Sequence, residues 1–261
     1  MRWLPKLVLV VASFAGVPAD GATTCHAASG ALARPLVELY TSEGCDSCPP
    51  AEAWLSSRLG ASKTSMHPIA LAFHVDYWDR LGWVDRFADA EYTARQYAAM
   101  RANGDSFVYT PQILLQGHDF SGWRNNDATP IDNAARAKAR ATIAIDVTPG
   151  AREVVVHADA RIIDRPAPAD TALFVAYVDS GLVSEVKAGE NRGVRLRHDH
   201  VVRALRRAVT ATGDGHIAAT LTLPKPAERG EHPAVVAFVQ REASGDVLQA
   251  LPLLLDDCVP H

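Results

Sequence analysis

The pattern of hydrophobic and polar positions divides the chain into two parts that meet near residue 142. In the first part, short apolar runs typical of buried strands alternate with segments whose apolar residues recur at helical spacing. Predicted strands lie at residues 35–41, 69–78 and 107–117, and predicted helices lie at 49–60, 79–104 and 129–141. This order of elements predicts an α/β fold for a domain at residues 30–141.

Local signals at the helix ends support these assignments. The prolines at 49–50 fit only the first turn of a helix, where a missing N–H is tolerated. Asp89 is a suitable N-cap for the second helix, and Gly104 is a suitable residue for its C-terminal end. Thr129 is the predicted cap of the third helix, with Pro130 at its first position.

From residue 142 onward, segments with a strand pattern are separated by turns rich in Gly, Pro and Asp. These segments lie at residues 142–147, 153–160, 172–179, 194–205, 216–223, 234–240 and 247–255. We therefore expect a β-rich, mainly antiparallel C-terminal part over residues 142–261. Whether the two parts share one sheet stays open, because a strand pattern does not identify its pairing partner.

The first residues have the features of a secretory signal peptide. Arg2 and Lys6 supply positive charge, and the apolar run at 7–17 is too short to span a bilayer as a helix. We expect residues 1–21 to form this signal, with cleavage between 21 and 27, and the protein to be periplasmic or secreted. No later segment is apolar enough to predict a membrane span.

The composition is that of a globular protein, with 48% hydrophobic and 21% charged residues. Lys and Arg number 26 against 30 Asp and Glu, which gives a formal net charge of −4. We expect no nucleic-acid partner, because nucleic-acid-binding proteins carry a basic patch or stripe. These features do not determine the oligomeric state.

The four cysteines are expected to form disulfides, since an exported chain meets an oxidising compartment. Four cysteines allow three connectivities. Spacing favours Cys45 with Cys48, which leaves Cys25 with Cys258. The second bridge would tie the two ends of the mature chain together, and it requires that the signal is cut before Cys25.

The motif Cys45-Asp46-Ser47-Cys48 is the strongest chemical signal in the sequence. It lies between a predicted strand and a predicted helix, which is the context of a thioredoxin-like redox motif. A helix N-terminus stabilises a thiolate through its unsatisfied N–H groups and its dipole. We therefore expect Cys45 to be the nucleophile and Cys48 to resolve the mixed disulfide.

Thr110 and Pro111 support a redox site, because thioredoxin-like proteins place a cis-proline beside the cysteine pair, just ahead of a strand. Pro111 is expected to shape a substrate cleft, with the backbone before it offering hydrogen bonds to an extended peptide. No organic cofactor is implied, since the cysteine pair itself holds two electrons.

Two alternatives for the cysteine pair remain open. One is an inert structural disulfide. The other is half of a zinc site, which needs two further ligands. His67, His74 and Asp76 are available in the sequence, but none is paired at the short spacing of a zinc knuckle.

Several stretches together resemble the secreted, thioredoxin-like family labelled domain of unknown function 1223. They are VELYTSEGCDSCPPAE at 37–52, LAFHVDYWDRLGWVDRFA at 71–88, YTARQYA at 92–98, VYTPQILLQG at 108–117 and AGENRGVRLRHDHVVRAL at 188–205. The resemblance implies a thioredoxin-like N-terminal domain, a β-rich second part and export. It implies Cys45, Cys48 and Pro111 as redox positions, and it implies no substrate or reaction.

Two of these stretches have a structural and a functional interpretation. His74, Asp76 and Trp78 follow a predicted central strand, where α/β sheets place ligands, so they are candidates for a cleft wall. The alternative is aromatic packing with Asp76 capping a turn. Glu190 and Asn191 are typical of a solvated charged hairpin, and the alternative is that they face the redox site.

The leading interpretation is an exported thiol–disulfide oxidoreductase acting on a protein or small-molecule thiol or disulfide. The alternatives are a non-enzymatic binding or assembly protein with a structural disulfide, and a metal-handling protein. Thiol accessibility separates the first two, because a redox enzyme must expose one reactive sulfur whereas a structural bridge is buried.

Overall fold

The computed structural model describes residues 23–59, 67–209 and 213–258. The predicted signal peptide at 1–21 lies outside these residues. Helices in the described ranges are α1 (Pro49–Leu59), α2 (Ala90–Asn103) and α3 (Thr129–Arg136), with short 3₁₀ helices at Asp76–Leu81, Ser121–Asn125 and Leu255–Asp257. Among the described residues, no helix is both long and apolar enough to span a membrane.

Strands β1 to β14 are the main elements of the described chain. In order, they are Cys25–Ala28, Leu36–Thr41, Ile69–His74, Gln112–Leu115, His118–Asp119, Ala141–Pro149, Glu153–Ile162, Thr171–Ser180, Leu182–Glu185, Arg195–His198, Val201–Val209, His216–Pro224, Glu231–Arg241 and Val247–Leu254. Each segment predicted as strand after residue 142 contains a strand, and the one at 194–205 is divided into β10 and β11.

The largest sheet has eight strands in the order β14-β13-β8-β11-β3-β2-β4-β5. β2 and β3 are parallel, with Leu36 opposite Ile69. β11 joins β3 in parallel where Val201 lies opposite Ala72, and the N–H of Ala72 donates to the carbonyl of His200 at 2.8 Å. The remaining neighbours in this sheet are antiparallel.

The predicted thioredoxin-like α/β domain at residues 30–141 is wrong. β2 to β5 do not form a sheet of their own, because β3 pairs with β11 and thereby continues into the antiparallel strands β8, β13 and β14. The fold is β-rich and built on large mixed and antiparallel sheets. The two parts of the sequence pattern therefore share one sheet.

Both faces of the eight-stranded sheet are buried. One face carries a continuous cluster that joins Tyr40 and Phe73 to Phe174 and Phe238, and Tyr92 of α2 packs against it. On the opposite face, α1 and α3 cover β2 and β4. The four-stranded sheet β1-β6-β7-β12 covers β8, β13 and β14 on that same side. The long-range pairing is thus stabilised by apolar burial on both sides.

The helix ends test the local predictions. Asp89 is the N-cap of α2, where its carboxylate accepts the N–H of Glu91 at 2.8 Å. Gly104 ends the helix with a φ of 71°, as its position predicts. The third helix is shorter than predicted, and Thr129 is its first residue rather than its cap.

Candidate functional site

All four cysteines are paired in two disulfides. Cys45 is bonded to Cys48, and Cys25 is bonded to Cys258 across 233 residues of sequence. The favoured connectivity is confirmed. The second bridge ties β1 to the end of the described chain, where a loop of this length contributes about 5 kcal/mol in the chain-entropy treatment.

The Cys45–Cys48 pair lies between the end of β2 and the N-terminus of α1. The chain passes close to the 3₁₀ helix after β3, since a Cβ added at Gly44 would lie 3.1 Å from the Cβ of Trp78. The carbonyl of Cys48 accepts the N–H of Ala51 at 2.9 Å, so helical bonding begins directly after the pair. The disulfide therefore lies at the positive end of the helix dipole.

A short segment at residues 188–194, here called the cap segment, lies between β9 and β10 and contacts the backbone of the cysteine motif. Gly189 and Gly193 have φ values of 74° and 83°, a left-handed conformation that glycine adopts without steric cost. These residues turn the chain so that the carboxylate of Glu190 accepts the backbone N–H of Asp46 at 3.3 Å.

Asn191 attaches the cap segment to the cysteine motif. Its Nδ2 donates to the backbone carbonyls of Glu43 and Cys45, both at 2.9 Å, and its side chain is buried. Cys45 and Cys48 are 0% exposed, although the two residues between them are exposed. Asn191 therefore packs against the cysteine motif, and the solvated hairpin expected for this residue is wrong.

His198, at the end of β10, lies between two buried carboxylates. Its Nδ1 is 2.6 Å from Oε2 of Glu52, and its Nε2 is 3.3 Å from Oε1 of Glu43. Burial by itself lowers the pKa of His198, but the two carboxylates more than offset this effect and raise it to about 10. Burial raises the pKa of Glu52, and the hydrogen bond and charge of His198 bring it below its ordinary value.

His74, at the end of β3, is held by a third buried acid. Its Nδ1 is 2.7 Å from Oδ2 of Asp85, which also accepts the N–H of Glu43 at 2.8 Å. Burial raises the pKa of Asp85, but the charge and hydrogen bond of His74 lower it more, so the carboxylate stays ionised. The rings of His74 and His198 meet edge to face with centroids 5.1 Å apart.

Two further donors complete this buried polar cluster. Nε1 of Trp83 donates to Oε2 of Glu43, and the hydroxyl of Thr41 donates to Oε1 of Glu52, both at 2.6 Å. Nε2 of His74 is the inaccessible atom of the cluster for which the described residues supply no hydrogen-bond or ion-pair partner, whereas Glu43 Oε1 and His198 Nε2 face each other at 3.3 Å.

The sequence matches a family described as "Protein of unknown function (DUF1223)" over residues 36–240. The chain belongs to this family. None of the curated proteins matches it.

Two solved structures resemble this DUF1223 protein over most of its length. Protein AGR_C_4864 from Agrobacterium tumefaciens is 27% identical with a TM-score of 0.61, and the match covers 89% of this chain and 99% of that chain. HBP35 of Porphyromonas gingivalis is 13% identical with a TM-score of 0.65, and the match covers 89% and 78% of the two chains. The second likeness shows a shared fold alone.

The structure brings the predicted cleft residues to the edge of the sheet where the cysteine motif lies. The Thr110–Pro111 peptide bond is cis. Pro111 lies one residue beyond the pairing of Tyr40 with Gln112, and therefore beside the C-terminal end of β2. Nε1 of Trp78 donates to the hydroxyl of Thr110 at 2.8 Å, which links this residue to the 3₁₀ helix.

Two residues considered for the site are placed elsewhere. Oδ1 of Asp76 accepts the hydroxyl of Thr93 at 2.6 Å, so its carboxylate ties the 3₁₀ helix to α2. His67 precedes β3 and lies at the opposite end of that strand from His74. Of the three residues considered as zinc ligands, His67, His74 and Asp76, it is His74 that belongs to the buried cluster.

No local motif marks Glu52, Asp85 or His198 as functional residues. Each lies in a different stretch that resembles the DUF1223 family, together with Glu43 and His74. The sequence signal that could have identified these three residues is that acidic residues and histidines recur in the stretches that resemble the family. Their meeting is a property of the tertiary structure.

Proposed function

We propose that this DUF1223 protein is a thiol–disulfide oxidoreductase in which the Cys45–Cys48 pair is oxidised and reduced beneath a cap that opens. The observation that carries the proposal is the position of the disulfide. The disulfide lies at the N-terminus of α1, and the two residues between its cysteines are exposed. Asn191 attaches the cap segment to the motif by two hydrogen bonds to backbone carbonyls.

The exchange transfers two electrons and two protons. A thiolate of a reduced partner attacks one sulfur of the pair and forms a mixed disulfide, and the other cysteine leaves as a thiolate. The second thiol of the partner then attacks the mixed disulfide, so the partner is oxidised and Cys45 and Cys48 are reduced. In the opposite direction, Cys45 attacks a substrate disulfide and Cys48 resolves the intermediate.

The electrostatics around the pair favour a thiolate in the reduced state. The N-terminus of α1 supplies partial positive charge. Glu43 precedes the motif by two residues and would oppose a thiolate, but its carboxylate faces the imidazole of His198 and the indole N–H of Trp83. The charge of Glu43 is thereby compensated within the buried cluster, whereas the carboxylates of Asp46 and Glu190 lie next to the motif and outside that cluster.

The cap explains how an exchange site can be fully buried in its resting state. Attack on a disulfide requires an approach to one sulfur, so exchange takes place after the cap segment moves away. Trp78, Thr110 and Pro111 lie at the same edge of the sheet and are the proposed cleft residues beside the opened pair.

Export is part of the proposal. Two disulfides use all the cysteines of the chain, which is typical of proteins in oxidising compartments. The predicted signal peptide at residues 1–21 would direct the protein there. The proposed substrate is a protein or small molecule that carries a thiol or disulfide.

A structural disulfide in a binding or assembly protein is the second candidate. The observation in its favour is that Cys45 and Cys48 are both 0% exposed. A bridge of this kind would stabilise the start of α1 and would not exchange while the protein stays folded.

The experiment is a redox titration of the mature, folded protein. The double variant Cys25→Ser/Cys258→Ser keeps only the motif pair, and Cys45→Ser/Cys48→Ser keeps only the terminal pair. Each protein is equilibrated in glutathione buffers, alkylated and weighed as intact protein. Reversible titration of the motif pair between about −120 and −270 mV supports the oxidoreductase. If that pair stays oxidised below about −300 mV, it is structural.

A further inference from the structure

The buried cluster next to the cysteine motif has the composition of a metal site. Glu43, Glu52, His74 and His198 come from four different elements, and their side chains are almost completely buried. One donor atom from each of Glu52, His74 and His198 lies within 4.8 Å of the other two. Oε1 of Glu43 lies 3.3 Å from Nε2 of His198.

An unpartnered atom of the cluster is independent support for a bound cation. Nε2 of His74 is inaccessible to solvent and lacks a hydrogen-bond partner among the described residues. Leaving a buried polar atom unsatisfied is costly, because the atom loses its hydrogen bonds to water without replacement. A cation that accepts the electron pair of this nitrogen removes that cost.

Carboxylates behind the two histidines have the pattern of an outer coordination shell. Nδ1 of His74 is hydrogen-bonded to Asp85, and an ionised carboxylate only accepts, so His74 keeps Nε2 for a ligand. Nε2 of His198 faces Glu43 at 3.3 Å, so Nδ1, on the side of Glu52, is the nitrogen of His198 available to an ion. Metal-binding histidines are oriented by carboxylates in this way.

The spacing of the donor atoms is close to that required by a single ion. Metal–nitrogen and metal–oxygen bonds of about 2.0–2.2 Å place tetrahedral ligands roughly 3.4 Å apart, and any two ligands at most about 4.4 Å apart. One donor atom each of Glu52, His74 and His198 lies within 4.8 Å of the other two, which requires a contraction of at most a few tenths of an ångström. The separation of 2.6 Å between Nδ1 of His198 and Oε2 of Glu52 must widen for an ion to enter between them.

We propose that His74, His198 and the carboxylate of Glu52 bind one divalent transition-metal ion near the Cys45–Cys48 motif. Imidazole nitrogen with carboxylate oxygen suits Zn²⁺ and its first-row neighbours rather than Mg²⁺ or Ca²⁺. The bound ion takes the place of the proton between Nδ1 of His198 and Glu52. The site is formed while the disulfide is intact, so the proposal does not depend on thiol exchange.

The test uses Zn²⁺ and the folded, oxidised protein after treatment with a chelator. The protein is dialysed against Zn²⁺ and gel-filtered, and the bound metal is measured by mass spectrometry. Variants His74→Gln and Glu52→Gln remove one proposed ligand each. His157→Gln removes an exposed histidine of β7 that is bonded to Thr220, and it serves as the control.

The expected result is one Zn²⁺ per chain in the wild type and in His157→Gln. At least a 10-fold loss of affinity is expected in the two ligand variants. X-ray absorption of the wild-type complex should show nitrogen and oxygen neighbours, including imidazole, and no sulfur. This measurement decides the question even if a ligand variant fails to fold.

Three results would overturn the proposal. The first is the absence of stoichiometric Zn²⁺ in the wild type, which leaves His198 as a protonated partner of two glutamates. The second is sulfur in the coordination shell, which would place the ion on the cysteines. The third is unchanged affinity in folded His74→Gln and Glu52→Gln.

Discussion

Replacing Asn191 with alanine removes the two hydrogen bonds that attach the cap segment to the carbonyls of Glu43 and Cys45. The substitution leaves both cysteines and the helix they precede unchanged. If the disulfide is reached by local opening of the cap, Asn191→Ala should accelerate its reduction in the folded protein.

The magnitude follows from the two bonds. A hydrogen bond of this kind contributes about 0.5–1.5 kcal/mol net, so the pair holds the closed state by about 1–3 kcal/mol. When opening is a rapid equilibrium before chemical attack, that difference increases the open population about 5- to 150-fold. The reduction rate should rise by the same factor.

The assay is reduction by dithiothreitol under native conditions, with timed quenching by an alkylating reagent. Peptide masses report the Cys45–Cys48 and Cys25–Cys258 bonds separately. Asn103→Ala is a matched control, because Nδ2 of Asn103 also donates to two backbone carbonyls at 2.9 Å, those of Ala99 and Gly117. The free energy of unfolding of both variants is measured with urea.

The two variants distinguish local from global opening. If reduction requires unfolding of the whole chain, Asn103→Ala and Asn191→Ala will accelerate it in proportion to their loss of stability. The reasoning fails if the accelerations scale in that way, or if Asn191→Ala leaves the rate unchanged. A specific acceleration in Asn191→Ala supports the cap as the barrier to exchange.

Two predictions concern charges elsewhere in the fold. Arg95→Met should lower the free energy of unfolding by about 3–5 kcal/mol, because it leaves the buried Glu38 carboxylate without its cation. Urea denaturation should show most of this loss recovered when Glu38→Met is added, and a single-variant loss below about 1 kcal/mol would contradict the prediction. Burial raises the pKa of Asp246, but a hydrogen bond to His118 and other partners lowers it below its ordinary value. The contribution of the Asp246 carboxylate to the free energy of unfolding is therefore present at neutral pH, and it is lost as pH falls through the folded-state pKa. Because the Asp246 side chain is partly exposed, Asp246→Asn should cost less than about 1 kcal/mol at pH 7. In acid unfolding experiments the difference from wild type should begin to fall near about pH 4, the pKa of an unfolded-state Asp, and should vanish only below the lower folded-state pKa.

Local chemistry is the part of this protein that its sequence predicts well. Asp89 and Gly104 mark the ends of α2 because capping depends on atoms a few residues apart. The pairing of Cys45 with Cys48 follows from a spacing that lets the two sulfurs meet across the start of a helix. The strands after residue 142 follow from their apolar and β-prone runs.

The fold of the first part could not be predicted in the same way. β2 and β3 are buried on both faces, and that pattern is the same whether the sheet ends at β3 or continues. The continuation depends on backbone pairing between Ala72 and Val201, which lie far apart in the chain. Backbone hydrogen bonds carry no side-chain signature, so the pattern of β3 does not reveal its second neighbour.

The sequence by itself determined the pairing of Cys45 with Cys48, the capping residues of α2 and the positions of the strands after residue 142, because these depend on neighbouring residues and on apolar periodicity. Only the tertiary structure decided that Asn191 covers Cys45 and that His198 meets Glu52, both across 146 residues. It also decided that the N-terminal strands extend into the β-rich half. The physical reason is that long-range contacts are selected by the packing of whole sheets, and no single segment contains the information about its partner.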